Sequence, residues 1–126
     1  MSQYRPTGFH HVQLAIPPGG EDEGRRFYGE AVGLDEVEKP EPLRSRGGCW
    51  FRSRDGSVEV HLGVEADFRP ARKAHPAILV AGLEELRARL DAAGAEVRDD
   101  VQLESHRRFH AFDPFGNRLE FLERQT

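Results

Sequence analysis

Six side chains with metal-binding or acid–base chemistry lie in four short apolar stretches of this 126-residue chain. They are His11, Gln13, Glu59, His61, His75 and Glu120. In each stretch the apolar residues fall on one strand parity and these residues on the other, so a curled sheet would bring them to its concave face. Imidazole and carboxylate groups are the donors that borderline divalent metals prefer, and two histidines with one carboxylate would leave positions open for a substrate.

The spacing of these residues does not by itself identify ligands. A lone histidine in a strand is more often a hydrogen-bonded group than a metal ligand, and the chain has no HExxH motif and no paired cysteines. Position in the chain distinguishes three of the six. His11 and His75 each open the first predicted strand of one half, and Glu120 lies in the last predicted strand.

The predicted helices and strands would hold these residues in place. An apolar stripe at helical spacing predicts a helix that begins near Glu21 and ends at Gly33, and a second helix runs from Leu83 to Gly94. Alternating apolar residues predict the strands. These cover residues 9–16, 34–37, 49–52 and 58–62 in the first half, and 75–80, 95–97, 108–112 and 118–122 in the second. Residues 38–48 are predicted to form a loop.

The run Asp113-Pro114-Phe115-Gly116-Asn117 predicts a tight turn before the last strand. Proline presets φ, asparagine and glycine tolerate positive φ, and aspartate can bond back to its own backbone. In the strand that follows, Leu119 and Phe121 point to one face, while Arg118 and Glu120 point to the other. The Glu120 carboxylate therefore faces either solvent or a polar cavity.

Corresponding features recur about 60 residues apart. The offset is 64 residues from His11 to His75, and 61 residues from Gly33 to Gly94; an offset of 61 also pairs Glu59 with Glu120. Each half contains a strand, a helix and three further strands, which predicts an α+β fold of two tandem βαβββ modules that form a curled mixed sheet. We expect a single domain over residues 1–126, with module one at about 7–64, a connector at 65–74 and module two at about 75–124.

The composition limits the classes of partner. The chain is 37% hydrophobic and 32% charged with a net charge of −4, which argues against general affinity for nucleic acid. A single cysteine, Cys49, cannot form an internal disulfide and suits a reducing compartment. The N-terminus lacks the apolar core of a signal peptide, and the longest nearly apolar run, residues 76–83, is too short to cross a bilayer. We expect a cytoplasmic protein that binds neither nucleic acid nor membrane.

These residues resemble the vicinal oxygen chelate superfamily, which includes glyoxalase I, extradiol dioxygenases, fosfomycin-resistance enzymes and bleomycin-resistance proteins. The resemblance covers about residues 7–123. It rests on four segments: His11-Val12-Gln13-Leu14-Ala15-Ile16, Phe27-Tyr28 with Gly33-Leu34, His75, and the run from Asp113 to Glu120.

The resemblance implies a divalent metal ion (Zn, Ni, Mn or Fe) with ligands at His11, His75 and Glu120. Glu59 is implied as a fourth ligand or as the base that moves a proton together with Glu120, although His61 shares its face. Many relatives are homodimers, and some complete each site with residues from both chains. The implied function is a metal-dependent lyase or isomerase, transferase or dioxygenase acting on a small oxygen-rich substrate.

Five residues are candidate contacts for that substrate: Gln13, Trp50, His61, Arg108 and His110. Trp50 could stack on the substrate or pack in the core. His110 corresponds in position to Trp50, and with His10 and His106 it could instead be structural. The arginines in several loops could bind an anionic substrate, or they could be solvated surface charges.

A second hypothesis is a metal-free protein that sequesters an aromatic or cationic small molecule in a dimer groove, as bleomycin-resistance relatives do. A third is a scaffold or regulator with a vestigial pocket. The presence of both histidines and the carboxylate favours the enzyme, and metal analysis of the purified protein would separate these hypotheses.

Overall fold

The structure is a computed structural model that describes residues 3–126. The first half contains β1 (Val12–Ile16), α1 (Glu21–Gly24) continued by a π-helical segment (Arg25–Ala31), β2 (Asp35–Val37), α2 (Glu41–Arg44), β3 (Cys49–Arg52) and β4 (Glu59–Val64). The second half contains β5 (Ala77–Leu79), α3 (Leu83–Ala92), β6 (Glu96–Arg98), β7 (His106–Phe112) and β8 (Arg118–Arg124).

Each half forms its own four-stranded mixed sheet, and the two sheets have the same topology. The strand order is β1-β4-β3-β2 in the first sheet and β5-β8-β7-β6 in the second. The first and last strands of each half pair in parallel, and the other neighbours pair antiparallel. The predicted α+β fold with two βαβββ modules is confirmed.

The strand register corrects one detail of the predicted repeat. His61 lies opposite Trp50 and Gln13, and Glu120 lies opposite His110 and Ala77, so Glu120 is the equivalent of His61. The pairing of Glu59 with Glu120 is therefore wrong by two residues. The second half is one residue shorter between the helix-ending glycine and the ladder residue of its third strand (Gly94 to His110 against Gly33 to Trp50), and one residue shorter again in the turn between its last two strands. An even error leaves a side chain on the same face of its strand, so the predicted face of Glu120 is unaffected.

Several element boundaries differ from the prediction. β1 begins at Val12 and β5 at Ala77, so His11 and His75 lie just before the strands instead of opening them. Part of the predicted loop forms the short helix α2, in which Pro42 lies in the first turn, where its missing N–H costs no hydrogen bond.

The first predicted helix is α-helical for only four residues. In its π-helical continuation, Val32 N–H donates to Phe27 O (2.9 Å), five residues earlier, and both Phe27 and Tyr28 are buried.

The Asp113–Asn117 turn joins distant parts of the core. The Tyr28 hydroxyl donates to Asp113 Oδ2 (2.7 Å), and Asn117 Nδ2 donates to both Asp113 Oδ2 and Ala15 O. Asn117 Oδ1 accepts from Ala71 N–H. Tyr28, Asp113 and Asn117 are all buried, and burial raises the pKa of Tyr28 well above its ordinary value. The turn therefore holds the two halves and the connector together.

The apolar parity of the central strands forms one core beneath the helices. Its buried strand residues are Leu14, Ile16, Phe51, Val60, Leu62, Phe109, Ala111, Leu119 and Phe121. The opposite parity carries the residues that the sequence singled out. None of the helices in residues 3–126 has the length and apolar character that crossing a bilayer requires.

Candidate functional site

The second half brings three ligand-type side chains together. His75 precedes β5, His110 lies on β7 and Glu120 on β8, and one nitrogen or oxygen from each lies within 4.8 Å of the others. His75 Nε2 is 2.9 Å from Glu120 Oε1, and His110 Nε2 is 3.8 Å from the same oxygen. His110 and Glu120 are buried, while His75 is more exposed. Two imidazoles and one carboxylate suit a borderline divalent cation.

The hydrogen bonding of His75 supports this interpretation. Its Nδ1 lies 2.9 Å from Lys73 O and its Nε2 lies 2.9 Å from the Glu120 carboxylate, so both ring nitrogens face acceptors. A neutral imidazole carries one N–H, and the second contact needs either another proton or a metal ion in its place. Donation of Nδ1–H to a backbone carbonyl is also how metal-binding histidines are commonly oriented. The residues present therefore fit a divalent cation.

Glu120 is held ionised between two cationic or donor groups. Its second oxygen, Oε2, accepts from Arg108 Nη1 (3.1 Å). Burial raises the pKa of Glu120, but the hydrogen bonds with His75 and Arg108 outweigh it and hold the pKa below its ordinary value. Arg108, a predicted substrate contact, thus lies beside the carboxylate.

His110 connects this cluster to a more basic region. Arg118 Nη2 lies 3.2 Å from His110 Nδ1, and burial together with the Arg118 charge lowers the pKa of His110. The sequence suggested His110 only as a pocket residue. Its place in the ligand-type cluster follows from the register, which sets it directly opposite Glu120.

The first half brings together a different set of side chains. His61 is sandwiched between His11 and Trp50, with ring centroids 3.9 Å apart on each side and nearly parallel planes. His61 is 3% exposed, and burial lowers its pKa. Gln13, on the neighbouring strand, lies over the backbone of Gly63 and is exposed.

Both oxygens of Glu59 are engaged in this half. Oε2 lies 2.7 Å from His61 Nε2, and Oε1 accepts from Arg52 Nε (2.9 Å). These two hydrogen bonds lower the pKa of Glu59 to about 2, and the one with His61 has the larger effect. Glu59 is therefore a carboxylate in an ion pair across the sheet.

Of the three predicted ligands, the chain brings His75 and Glu120 together and places His11 in the other half. The nearest aromatic neighbours of His11 are His10 and His61. Within the described residues, the group with ligand spacing contains His75, His110 and Glu120 but not His11. The assignment of His11 as a ligand stays a prediction.

Comparison with known proteins gives the chain its family. The sequence model of the Glyoxalase/Bleomycin resistance protein/Dioxygenase superfamily matches residues 8–121. A glyoxalase family protein from Bacillus anthracis is 47% identical, with a TM-score of 0.91 over 98% of this chain and 100% of that chain. No curated protein matches the sequence.

More distant structures share the fold alone. The antibiotic binding protein TnmS3 from Streptomyces sp. CB03234 is 18% identical, with a TM-score of 0.73 over 96% of this chain and 100% of that one. The fosfomycin resistance protein FosX from Listeria monocytogenes is 14% identical, with a TM-score of 0.74 over 96% of each chain. From its sequence match and its fold, the chain belongs to the Glyoxalase/Bleomycin resistance protein/Dioxygenase superfamily, which is the vicinal oxygen chelate group.

Proposed function

We propose that the protein is a metal-dependent enzyme that acts on a small oxygen-rich substrate, in the class of glyoxalase-like lyases and isomerases, transferases or dioxygenases. The observation that carries the proposal is the convergence of His75, His110 and Glu120, with ligand atoms within 4.8 Å of one another. A divalent cation there would supply Lewis-acid polarisation of substrate oxygens. His75 and Glu120 are the proposed ligands, and His110 is a further donor or a substrate contact.

We further propose that a second copy of the chain supplies His11 to this site. His11 is exposed and lies apart from His75 and Glu120. The side chain of Phe9, two residues earlier in the chain, is fully exposed. Strands β1 and β5 each pair with one neighbour only, which leaves an open edge in each sheet. A homodimer would cover both the apolar side chain and these edges.

The carboxylates of Glu120 and Glu59 would have different roles in the proposed reaction. Glu120, which His75 and Arg108 keep ionised, is suited to neutralise a cation. Glu59 is the proposed base for proton transfer, but with a pKa of about 2 it is a weak base while it contacts His61 and Arg52. Proton abstraction by Glu59 therefore requires the contact with His61 to be broken when substrate binds.

Metal analysis tests the proposal. Protein purified without chelator should hold about one divalent ion per site, and His75→Ala and Glu120→Ala should lose it, whereas His106→Ala should retain it. Added metal should raise the melting temperature of the wild type because only the folded chain presents the site. Wild-type protein that neither holds metal nor is stabilised by it above pH 7 would contradict the proposal.

A metal-free binding function has one observation in its favour. The ring of Trp50 is half-buried and continues the flat stack with His61 and His11, which would suit a planar aromatic ligand. TnmS3, a structure with the same fold, is an antibiotic binding protein. Trp50 is the single tryptophan, so its fluorescence reports such binding directly. Saturable quenching by planar aromatic drugs in protein that binds no metal would favour this function.

A further inference from the structure

A small basic cavity lies next to the candidate metal site. It has a volume of about 240 Å³. Three arginines (Arg72, Arg98 and Arg118), two aspartates (Asp99 and Asp100), His110 and Phe112 line it. Asp99 is already paired with Arg87, outside the cavity lining. The space corresponds to about eight water molecules, taking a water as about 30 Å³. His110 belongs to both the cavity and the ligand-type cluster, so a group bound in the cavity would lie beside the proposed metal ligands.

Arg118 has donors that the protein leaves unused. Its Nε is buried without a hydrogen-bond partner, the one such side-chain atom in residues 3–126. Its Nη2 contacts the His110 ring (3.2 Å to Nδ1) but lies 4.0 Å from the nearest carboxylate oxygen, that of Asp100, which is too far for a hydrogen bond. The Arg118 side chain is 22% exposed, so its guanidinium, which has no hydrogen-bonded anion, is open to a ligand. An oxyanion is the group that its planar donors fit best.

The remaining arginines add positive charge at the opening. The guanidinium carbons of Arg72 and Arg98 lie 5.9 and 5.3 Å from the centre of the Phe112 ring. Arg98 pairs with Glu96, but both side chains are largely exposed, so that pair is weak.

The equivalent place in the first half is neutralised. Arg118 on β8 lies opposite Phe112, and the corresponding pair in the first sheet is Glu59 opposite Arg52. There the two charges form a hydrogen-bonded ion pair at 2.9 Å. In the second half the same pair is one phenylalanine and one arginine, so the charge of Arg118 has no carboxylate directly opposite it.

Asp100 places a carboxylate loosely at this cavity. Its Oδ2 lies 3.5 Å from His110 Nδ1 and 3.6 Å from Arg108 Nη2, so it is attracted by charge without forming a hydrogen bond to either. Its side chain is 40% exposed, and its other oxygen accepts from Val101 N–H. A carboxylate of the protein thus lies where an incoming anion would, and a ligand with better geometry could displace it.

We propose that this cavity binds an oxyanion group of the substrate, a carboxylate or a phosphonate, with Arg118 as its main contact and Arg72 and Arg98 as flanking charges. The inference rests on the proposed function in that it assigns the bound group to the substrate of the same site. Anchoring one end of an anionic molecule at Arg118 would bring its remaining oxygens to His110, His75 and Glu120.

Titration with inorganic phosphate tests the cavity in metal-stripped protein and, separately, in protein as purified. Resolved Nε–H signals of arginine in ¹H–¹⁵N spectra report binding. The Arg118 signal should shift saturably in both preparations. Arg118→Gln and Arg98→Gln should weaken phosphate binding at least tenfold and several-fold, respectively, whereas Asp100→Asn should strengthen it. Arg52→Gln is the matched control and should bind as the wild type does.

The result for the stripped protein separates the two proposals. Phosphate binding without metal supports the cavity even if no metal ever binds, and metal binding without phosphate binding leaves the metal site standing but overturns the anion site. The anion site is also overturned if Arg98→Gln and Arg118→Gln, folded by the same spectra, bind phosphate as tightly as the wild type, or if Arg52→Gln weakens binding as much as they do.

Discussion

The two sheets carry the same four-residue ladder across their strands, with very different chemistry. From edge to edge the first sheet aligns Val37, Trp50, His61 and Gln13. The second aligns Arg98, His110, Glu120 and Ala77 at the corresponding positions. The first ladder is built around an imidazole stacked between two aromatic rings, and the second around a buried carboxylate that contacts an arginine and two histidines.

The difference shows that the backbone fixes where side chains meet but not what they can do together. Both ladders lie on the strand parity opposite the apolar core, and a histidine precedes the first strand of each sheet. In the first half that histidine lies on the His61 ring, whereas in the second it lies against the Glu120 carboxylate. Two exchanges at the centre of the ladder, Trp50 for His110 and His61 for Glu120, therefore separate an aromatic stack from a candidate metal site.

Substitution of the two equivalent residues should give the largest contrast. Glu120→Ala removes the carboxylate of the proposed site and should weaken metal binding by about 100-fold or more, since it deletes a direct ligand. His61→Ala should weaken it by less than about tenfold. Isothermal titration of the stripped proteins with Zn²⁺ measures both. An equal loss in the two variants would mean that the ladders contribute alike and that the comparison is wrong.

Breaking the link between the halves should have the next largest effect. Asp113→Ala removes a buried acceptor used by the Tyr28 hydroxyl and by Asn117, and should lower the free energy of unfolding by about 3 kcal/mol because those donors lose their partner. Tyr28→Phe should cost about 1 kcal/mol. Urea unfolding followed by Trp50 fluorescence and by circular dichroism measures both changes. A small effect of Asp113→Ala would show that the halves are held by apolar packing alone.

The pH dependence of stability should show a smaller effect from the first ladder. Burial lowers the pKa of His61 in the folded protein, so the unfolded chain binds a proton there more readily. Stability is therefore complete above the unfolded pKa, ordinarily near 6.5, and falls as the pH drops below it towards the lowered folded value.

Replacing His61 by phenylalanine should flatten this decline in metal-stripped protein. One site can change the slope by at most about 1.4 kcal/mol per pH unit. Part of the decline should persist because burial also lowers the pKa of His110. Unfolding curves between pH 5 and 8 give the slopes, and an unchanged slope in His61→Phe would show that His61 titrates alike in both states.

Period-two patterning was sufficient to predict the sheets and the face on which Glu120 lies. Strand parity depends on local alternation, which the sequence shows directly. The equivalence of His61 and Glu120 could not be predicted in the same way, because it depends on the length of a turn and on hydrogen-bond register. The π-helical segment was missed since its five-residue hydrogen bonds leave no distinct spacing in so short a stretch.

The basic cavity could not be predicted from the sequence either. Arg98 and Arg118 are 20 positions apart in the chain and on different strands, and the pairing of β6, β7 and β8 places them around His110. The arginine-rich segments that the sequence shows include Arg72, which lines the cavity, and Arg108, which contacts Glu120, but neither Arg98 nor Arg118. Clustering in the chain is a poor guide where sheet neighbours come from separate segments.

The amide of Asn117 makes the repeated architecture indivisible. It spans 102 positions to the carbonyl of Ala15 and 46 to the amide of Ala71. If the chain were cut between the two halves, Asn117 and its partner Ala15 would lie in different fragments. Each fragment alone would therefore have an incomplete core. The two halves share one design, yet each depends on the other for its completion.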